Sequence, residues 1–238
     1  MIEVNSFAEL RTTMPSKPGE IAVLKRYYDK DSSFRGGGDF VGFTGTTILK
    51  DDGGTVAIGN GFYWKRSIND PREVNILHFG AKGDGVTDDT DAFKRILGWS
   101  QTYSQNMKGL PVRFPGGRFL IMPMDLSNAE IPFFGLAGDD LALGSLPGTT
   151  IVSDKSANTL FKVQARRTTI RGITWDGQAT ADTVTNTATI TPEMCSNVQP
   201  FFENSCMAGQ IVNISCFRGQ RSGGTIFKLQ DTLDSKFE

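Results

Sequence analysis

The apolar residues of the second half of the chain fall in short clusters. Val112 to Phe114 and Arg118 to Ile121 flank the turn Pro115-Gly116-Gly117, and further clusters centre on Phe133, Ile151, Phe161, Ile170, Phe202, Ile211 and Phe227. Clusters of this length between turn residues predict β-strands. No second long amphipathic helix follows any of them. Upstream, Ala92, Phe93, Ile96 and Leu97 recur at helical spacing, predicting one helix that ends near Tyr103. A shorter helix, Phe7 to Thr12, is expected after the capping-box pair Ser6 and Glu9.

The amino-terminal third reads as a separate small module. Residues Ile21 to Lys25 suggest a strand, and the Asp52-Gly53 and Asn60-Gly61 turns introduce strands Thr55 to Ile58 and Phe62 to Lys65. Three or four antiparallel strands closed by Phe43, Phe62 and Trp64 are expected. The polar connector Ile68 to Glu73 marks a boundary, giving units 1–69 and 70–238. Ile76 to Phe79 is expected to be a short strand, followed by turns at Gly80, Gly83 and Gly85.

The later clusters repeat. TLFKVQ at Thr159 to Gln164 returns as TIFKLQ at Thr225 to Gln230, and an ungapped match sets Phe161 on Phe202, Ile170 on Ile211, Ile173 on Ile214 and Trp175 on Cys216. Short strands that cannot bury a core alone must stack on their neighbours. The expected result is a solenoid with Phe161, Phe202 and Phe227 in an aromatic ladder and Ile170 and Ile211 in an aliphatic one. The unequal spacing of the repeats points to an insertion over Thr180 to Pro200. A β-sandwich with coincidental matches is the competing reading.

Composition narrows the function more than the fold. Lys+Arg number 25 against 26 Asp+Glu, a formal net charge of -1, which argues against a nucleic-acid-binding surface. No apolar run is long enough for membrane insertion, and the amino terminus lacks a basic start followed by an apolar run. Cys195, Cys206 and Cys216 lack C-x-x-C spacing and are expected to be buried free thiols. The glycine trio Gly36 to Gly38 has no following Lys-Ser/Thr pair or long helix, so a phosphate cradle is not expected. Asp88, Asp89 and Asp91 stand at a helix start, where capping explains them without catalysis. His78, the only histidine, has no evident partner and receives no catalytic role.

Phe79 to Phe93, FGAKGDGVTDDTDAF, resembles the opening signature of the pectate-lyase-like, right-handed parallel β-helix family. Phe114 to Ile121 resembles the strand-turn-strand that commonly follows, and GGGDF, DDGGTVAI and GFYWKR resemble a module preceding this fold in bacteriophage tailspikes and capsule depolymerases. The one departure is His78, where the family usually has aspartate. The resemblance implies a mainly β fold: a right-handed parallel β-helix with one capping α-helix, preceded by a small antiparallel β module. It implies a homotrimer in the virion tail that binds and depolymerises bacterial surface polysaccharide (capsule, exopolysaccharide or O-antigen) by hydrolysis or β-elimination, without a cofactor or metal. The amino-terminal part would fasten it to other tail or baseplate proteins. Synthesis in the host cytoplasm without a signal peptide fits this picture, and DTLDSKFE at the end reads as the start of a further coil, as in a fragment of a longer protein.

Glycoside cleavage generally needs two carboxyl groups about 5–10 Å apart. Asp154, Asp176, Glu193 and Glu203 are the candidates on the expected coils. Asp176 also reads as a turn residue, and Trp175 beside it would offer a sugar an aromatic face. Glu193 and Glu203 would face a common groove. Arg166, Arg167 and Arg171 are candidate contacts for an acidic polysaccharide. Two alternatives stay open: a non-catalytic virion attachment or receptor-binding protein using the β-helix as a spacer, and a bacterial pectin-type lyase or polygalacturonase.

Overall fold

The computed structural model describes residues 1–30, 35–103, 109–139, 148–153, 159–177, 200–205, 210–215, 218–220, 227–230 and 232–237. These form two compact units, one of residues 1–82 with 91–99, the other of residues 83–90 with 100–238.

The first unit holds β1 (Ile2–Val4), α1 (Phe7–Leu10), β2 (Ile21–Leu24), β3 (Gly38–Thr44), β4 (Val56–Gly59) and β5 (Phe62–Arg66). Its sheet runs β1-β2-β3-β5-β4, parallel between β1 and β2 and antiparallel elsewhere. It therefore has five strands rather than three or four, and the added parallel pair departs from the antiparallel pattern expected. The helix start keeps half of its expected capping box: the Glu9 amide donates to Ser6 Oγ, but the Glu9 carboxylate reaches past the cap and accepts from the Asn5 amide at 2.7 Å. Alternation in β2, β3 and β5 turns Ala22, Leu24, Phe40, Phe62 and Trp64 into a core shared with Val4, Phe7 and Leu10. Trp64 Nε1 donates to the Thr13 carbonyl at 2.8 Å. Phe43 does not close this core. It stacks at 4.8 Å on Tyr63, its register partner, because odd positions of both strands face away from the core here.

Arg66 ties the unit together. Its side chain is 8% exposed and donates to the Gly54, Gly37 and Gly36 carbonyls at 3.0, 2.7 and 3.1 Å, with the guanidinium 4.6 Å above the Phe40 ring. The glycine trio thus serves close approach. Gly36 has φ +77, and a Cβ there would collide with the Leu77 carbonyl. Ile76–Phe79 is a 3₁₀ turn rather than a strand, because side chains satisfy its amides: Asn75 Oδ1 accepts from Leu77 N and His78 Nδ1 from Asn75 N.

The second unit contains β6 (Asp84–Asp88), β7 (Val112–Phe114), β8 (Gly117–Ile121), β9 (Met124–Gly138), β10 (Thr149–Ser153), β11 (Phe161–Arg171), β12 (Thr174–Asp176), β13 (Phe202–Asn204), β14 (Gln210–Ser215), β15 (Arg218–Gln220), β16 (Phe227–Leu229) and β17 (Thr232–Phe237). The helix α2 (Thr90–Gln101) has its body, 91–99, in the first unit. Every strand pairing in the second unit is parallel. One sheet runs β6-β8-β10-β12-β15, while β7, β9, β11, β13, β14, β16 and β17 build the other. The chain alternates between the two sheets and returns one rung further on, with β13–β14 and β16–β17 each taking the place that the single long β11 fills in its own coil. That is a parallel β-helix.

Interior rows run along the stack. Phe119, Ile151 and Trp175 make one, Met124, Phe161, Phe202 and Phe227 another, and Leu136, Ile170 and Ile214 a third. The aromatic ladder of the sequence reading is present, and Phe134 and Phe201 thicken it at 5.3–5.7 Å from Phe161. The aliphatic ladder needs correction. Ile170 pairs with Ile214, three residues beyond Ile211, and Trp175 pairs with Gly219 rather than Cys216.

The physical reason lies at the corner. In β11, Phe161, Val163 and Ala165 face inward, whereas beyond Arg166 and Arg167 it is Thr168 and Ile170 that do. A one-residue change of phase bends the strand from one face to the next. The equivalent corner of the next coil, between Asn204 and Ile211, is three residues longer than that between Val163 and Arg167. Strands keep register, whereas corners vary in length. Buried Asn204 stabilises the bend by accepting from the Ala165 amide at 3.0 Å and donating to its carbonyl at 2.8 Å. The expected insertion at Thr180 to Pro200 and the three cysteines lie outside the described residues, apart from Pro200 itself.

Candidate functional site

Asp176 ends β12 and is 1% exposed. Its carboxylate accepts from Arg118 Nη2 at 2.8 Å, two rungs away on the same sheet. That pairing suits a structural carboxylate whose charge is already compensated. Trp175 is equally buried. Its Nε1 donates to Ser153 Oγ at 3.2 Å and its ring lies 5.5 Å from Phe201, so the aromatic face expected to meet a sugar is directed into the coil interior.

Glu203 lies on β13, in the other sheet from Asp176. It stands in register with Lys162 and Lys228, and Lys162 in turn with Asp125, to which it is paired at 3.3 Å. The result is an outward row of alternating charge, Asp125, Lys162, Glu203, Lys228, with neighbouring strands about 4.8 Å apart. Glu193 and Asp154 lie outside the described residues. The structure therefore brings no two of the expected carboxylates together among the described residues.

Arg171 does enter a cleft. The outward positions of the second half of β11 are Arg167, Thr169 and Arg171, and they line a cavity of about 340 Å³ with Phe133, Gly109 and Pro111. This is within the usual range for small-molecule sites, roughly 300–1,000 Å³. Gly135, in register with Thr169, leaves room for the Phe133 ring, and a Cβ there would meet both that ring and Pro111. Neither Arg167 nor Arg171 forms an ion pair or hydrogen bond among the described residues. The sequence reading named both arginines but missed Thr169 and Phe133. Strict alternation through Arg167-Thr168-Thr169-Ile170-Arg171 was the signal that places the first, third and fifth on one face.

The remaining polar motifs have local work. Asp84 Oδ1 accepts from the Val86 and Thr87 amides, Asp88 Oδ1 from Thr90 N, and buried Asp89 Oδ2 from Gly83 N. The first two satisfy turn and helix-start amides, and the third pins the glycine turn. His78 is held neutral at pH 7, its imidazolium pushed down to about 3 by burial and by the Arg66 charge. The unfolded chain binds this proton more readily, so the ring's contribution to stability shrinks as pH falls from about 6.5 toward about 3. Among the described residues, no group of three or more His, Cys, Asp or Glu could hold a metal ion, and no helix is long and apolar enough to cross a membrane.

Residues 3–70 match the phage tail protein small four-stranded β-sheet domain. Residues 73–199, more than half of the chain, match the rhamnogalacturonase A/epimerase, pectate-lyase-like family. The chain belongs to that family. Its parallel coils agree with solved structures of tailspike-like β-helices. WceF of Pantoea stewartii, described as a glycan biofilm modifying enzyme with a bacteriophage tailspike-like parallel β-helix fold, superposes with a TM-score of 0.77 at 32% identity, over 99% of this chain and 32% of that one. The enzymatically active domain of tailspike protein 2 from bacteriophage CBA120 shares the fold, with a TM-score of 0.53 at 17% identity over 95% of this chain and 34% of the other. In sequence, the amylovoran biosynthesis protein AmsF of Erwinia amylovora is 38% identical over 99% of this chain and 29% of its own length. The pectate-lyase-like chain thus spans about a third of these relatives.

Proposed function

We propose that this chain is the amino-terminal part of a tailspike-type protein that recognises and depolymerises bacterial surface polysaccharide. The supporting observation is one chain that joins a phage-tail β-sheet module to a pectate-lyase-like parallel β-helix and aligns with WceF across 99% of its length. In this reading residues 1–69 form the virion-proximal module, which attaches to other tail or baseplate proteins, and the β-helix assembles as a homotrimer acting at the host surface. The catalytic carboxylates belong to coils other than the described ones, since Asp176 is committed to Arg118 and Glu203 to a charged row.

A second reading has its own support. AmsF and WceF are bacterial proteins described by amylovoran biosynthesis and glycan biofilm modification. In that reading the same scaffold remodels a bacterium's own exopolysaccharide rather than serving a virion. Both readings predict glycan cleavage by the full-length protein. Incubation with a panel of capsular, exopolysaccharide and O-antigen preparations should release new reducing ends or, for a lyase, unsaturated-sugar absorbance. Binding without any product would instead support a non-catalytic attachment protein. Cleavage of host capsule by purified virions would select the first reading over the second.

A further inference from the structure

We infer that the cleft on the outer face of β11 is a non-catalytic subsite for acidic sugar residues, with Arg167 and Arg171 as its anion-binding groups and Thr169 between them. The inference rests on the polysaccharide-binding reading above and specifies where on the chain, and through which chemistry, a charged glycan is held.

Three observations carry it. The first is charge without a partner. The described structure pairs Arg11 with Asp51, Arg72 with Asp70, Arg113 with Asp139 and Arg118 with Asp176, yet leaves both cleft guanidinia unpaired. A planar guanidinium offers a fork of donors matched to a carboxylate, sulfate or phosphate. The second is placement. Arg167 and Arg171 are four residues apart on one straight strand, so their Cα atoms are about 13 Å apart. Two acidic groups along an extended glycan, or one held between inward-turned side chains, fit that span. The Thr169 hydroxyl, in the middle, can donate to or accept from a sugar hydroxyl.

The third is the shape and composition of the lining. Gly135 admits the Phe133 ring against Pro111, so the cleft has an apolar wall beside its two charges. Among the described lining residues there is no carboxylate, and so no acid or base of the kind that cleaves a glycosidic bond. Two lining arginines on a chain of net charge -1 also differ from the continuous basic track that a nucleic acid requires.

The test uses the full-length protein. Wild type, Arg167→Ala/Arg171→Ala and Arg167→Lys/Arg171→Lys are compared for binding to polygalacturonate, hyaluronate and heparin, each against its chemically neutralised counterpart, with dextran as a neutral control. Wild type should bind at least one acidic polymer and lose that binding on neutralisation. The double alanine variant should bind it about tenfold or more weakly with a shallower salt dependence, and the double lysine variant should be intermediate because charge remains but the fork does not. Thermal midpoints of both variants should match wild type, since neither side chain is tied to the protein. Unchanged affinity in the alanine variant, equal loss on neutral polymers, or tighter binding of a single-stranded oligonucleotide would each overturn the subsite. Glycan cleavage is assayed separately on the same preparations. Cleavage with unchanged binding by the alanine variant rejects the subsite alone. Absence of cleavage by wild type rejects the depolymerase reading while leaving the arginine-dependent binding intact.

Discussion

Replacing Arg66 by methionine is expected to destabilise the amino-terminal unit by about 3–5 kcal/mol. A buried ion pair can often be exchanged for apolar side chains at little cost, but the partners here are backbone carbonyls of Gly36, Gly37 and Gly54, which no substitution removes. Methionine fills most of the volume and leaves three acceptors without their donor. The guanidinium itself stays protonated at pH 7, because burial pushes its pKa down only to about 10, with the charges of Asp52 and Asp39 opposing the shift. Lysine keeps the charge but cannot fork to three carbonyls, so Arg66→Lys should fall between methionine and wild type. Urea unfolding monitored by tryptophan fluorescence gives the magnitude. His78 supplies an independent readout. It is the only histidine, and the Arg66 charge contributes to its depressed pKa. In tag-free Arg66→Met protein its NMR titration should move upward from about 3. A variant that unfolds within about 1 kcal/mol of wild type, with His78 unmoved, contradicts the role given to Arg66.

The second large effect is expected in the coil stack. Phe161 is fully buried in the central described rung, between Met124 and Phe202, with the rings of Phe134 and Phe201 5.7 and 5.3 Å away. Truncation to alanine removes the packing and leaves a cavity walled by rigid rings, a loss of about 3–5 kcal/mol. Leucine retains most of the volume, and Phe161→Leu should cost about 1–2 kcal/mol. The same pair of substitutions at outward Lys162 should change stability by less than about 0.5 kcal/mol. Equal effects at 161 and 162 would mean that the strand does not present alternate residues to an interior.

These effects show what the linear chain reveals and what it hides. The rungs Phe161, Phe202 and Phe227 were legible because a strand's inward positions have a fixed period and the residue type recurs. The register beyond the corner was not, because an ungapped comparison cannot see a bend that lengthens by three residues, and it set Ile170 on the wrong isoleucine. The five-stranded first unit was underestimated because β1 spans only three residues, too few to show a period. Ile76 to Phe79 looked like a strand since its apolar run is as short as one, yet Asn75 and His78 satisfy the turn amides locally.

The candidate site was read with similar unevenness. Sequence pattern drew attention to carboxylates and to Trp175, residue types that serve glycosidases. Burial then gave Trp175 to the interior and Asp176 to Arg118, relationships that depend on residues 22 to 58 positions away and leave no local trace. Arg167 and Arg171 were visible as cations, but only the alternation of β11 and the glycine opposite Thr169 make them walls of one cleft.

Parallel coils stack with strand register fixed and corner length variable, an arrangement that cross-linking across one rung can read out. With Cys195, Cys206 and Cys216 replaced by serine, Thr169→Cys/Asn213→Cys places two thiols on adjacent strands in register, about 4.8 Å apart at Cα and within disulfide range. Thr169→Cys/Gln210→Cys is the pairing that the ungapped sequence match requires. Mild oxidation is predicted to cross-link the 169–213 pair nearly completely and the 169–210 pair only slowly. Preferential cross-linking of 169 to 210, or of neither pair in folded protein, would contradict the stacked-coil account.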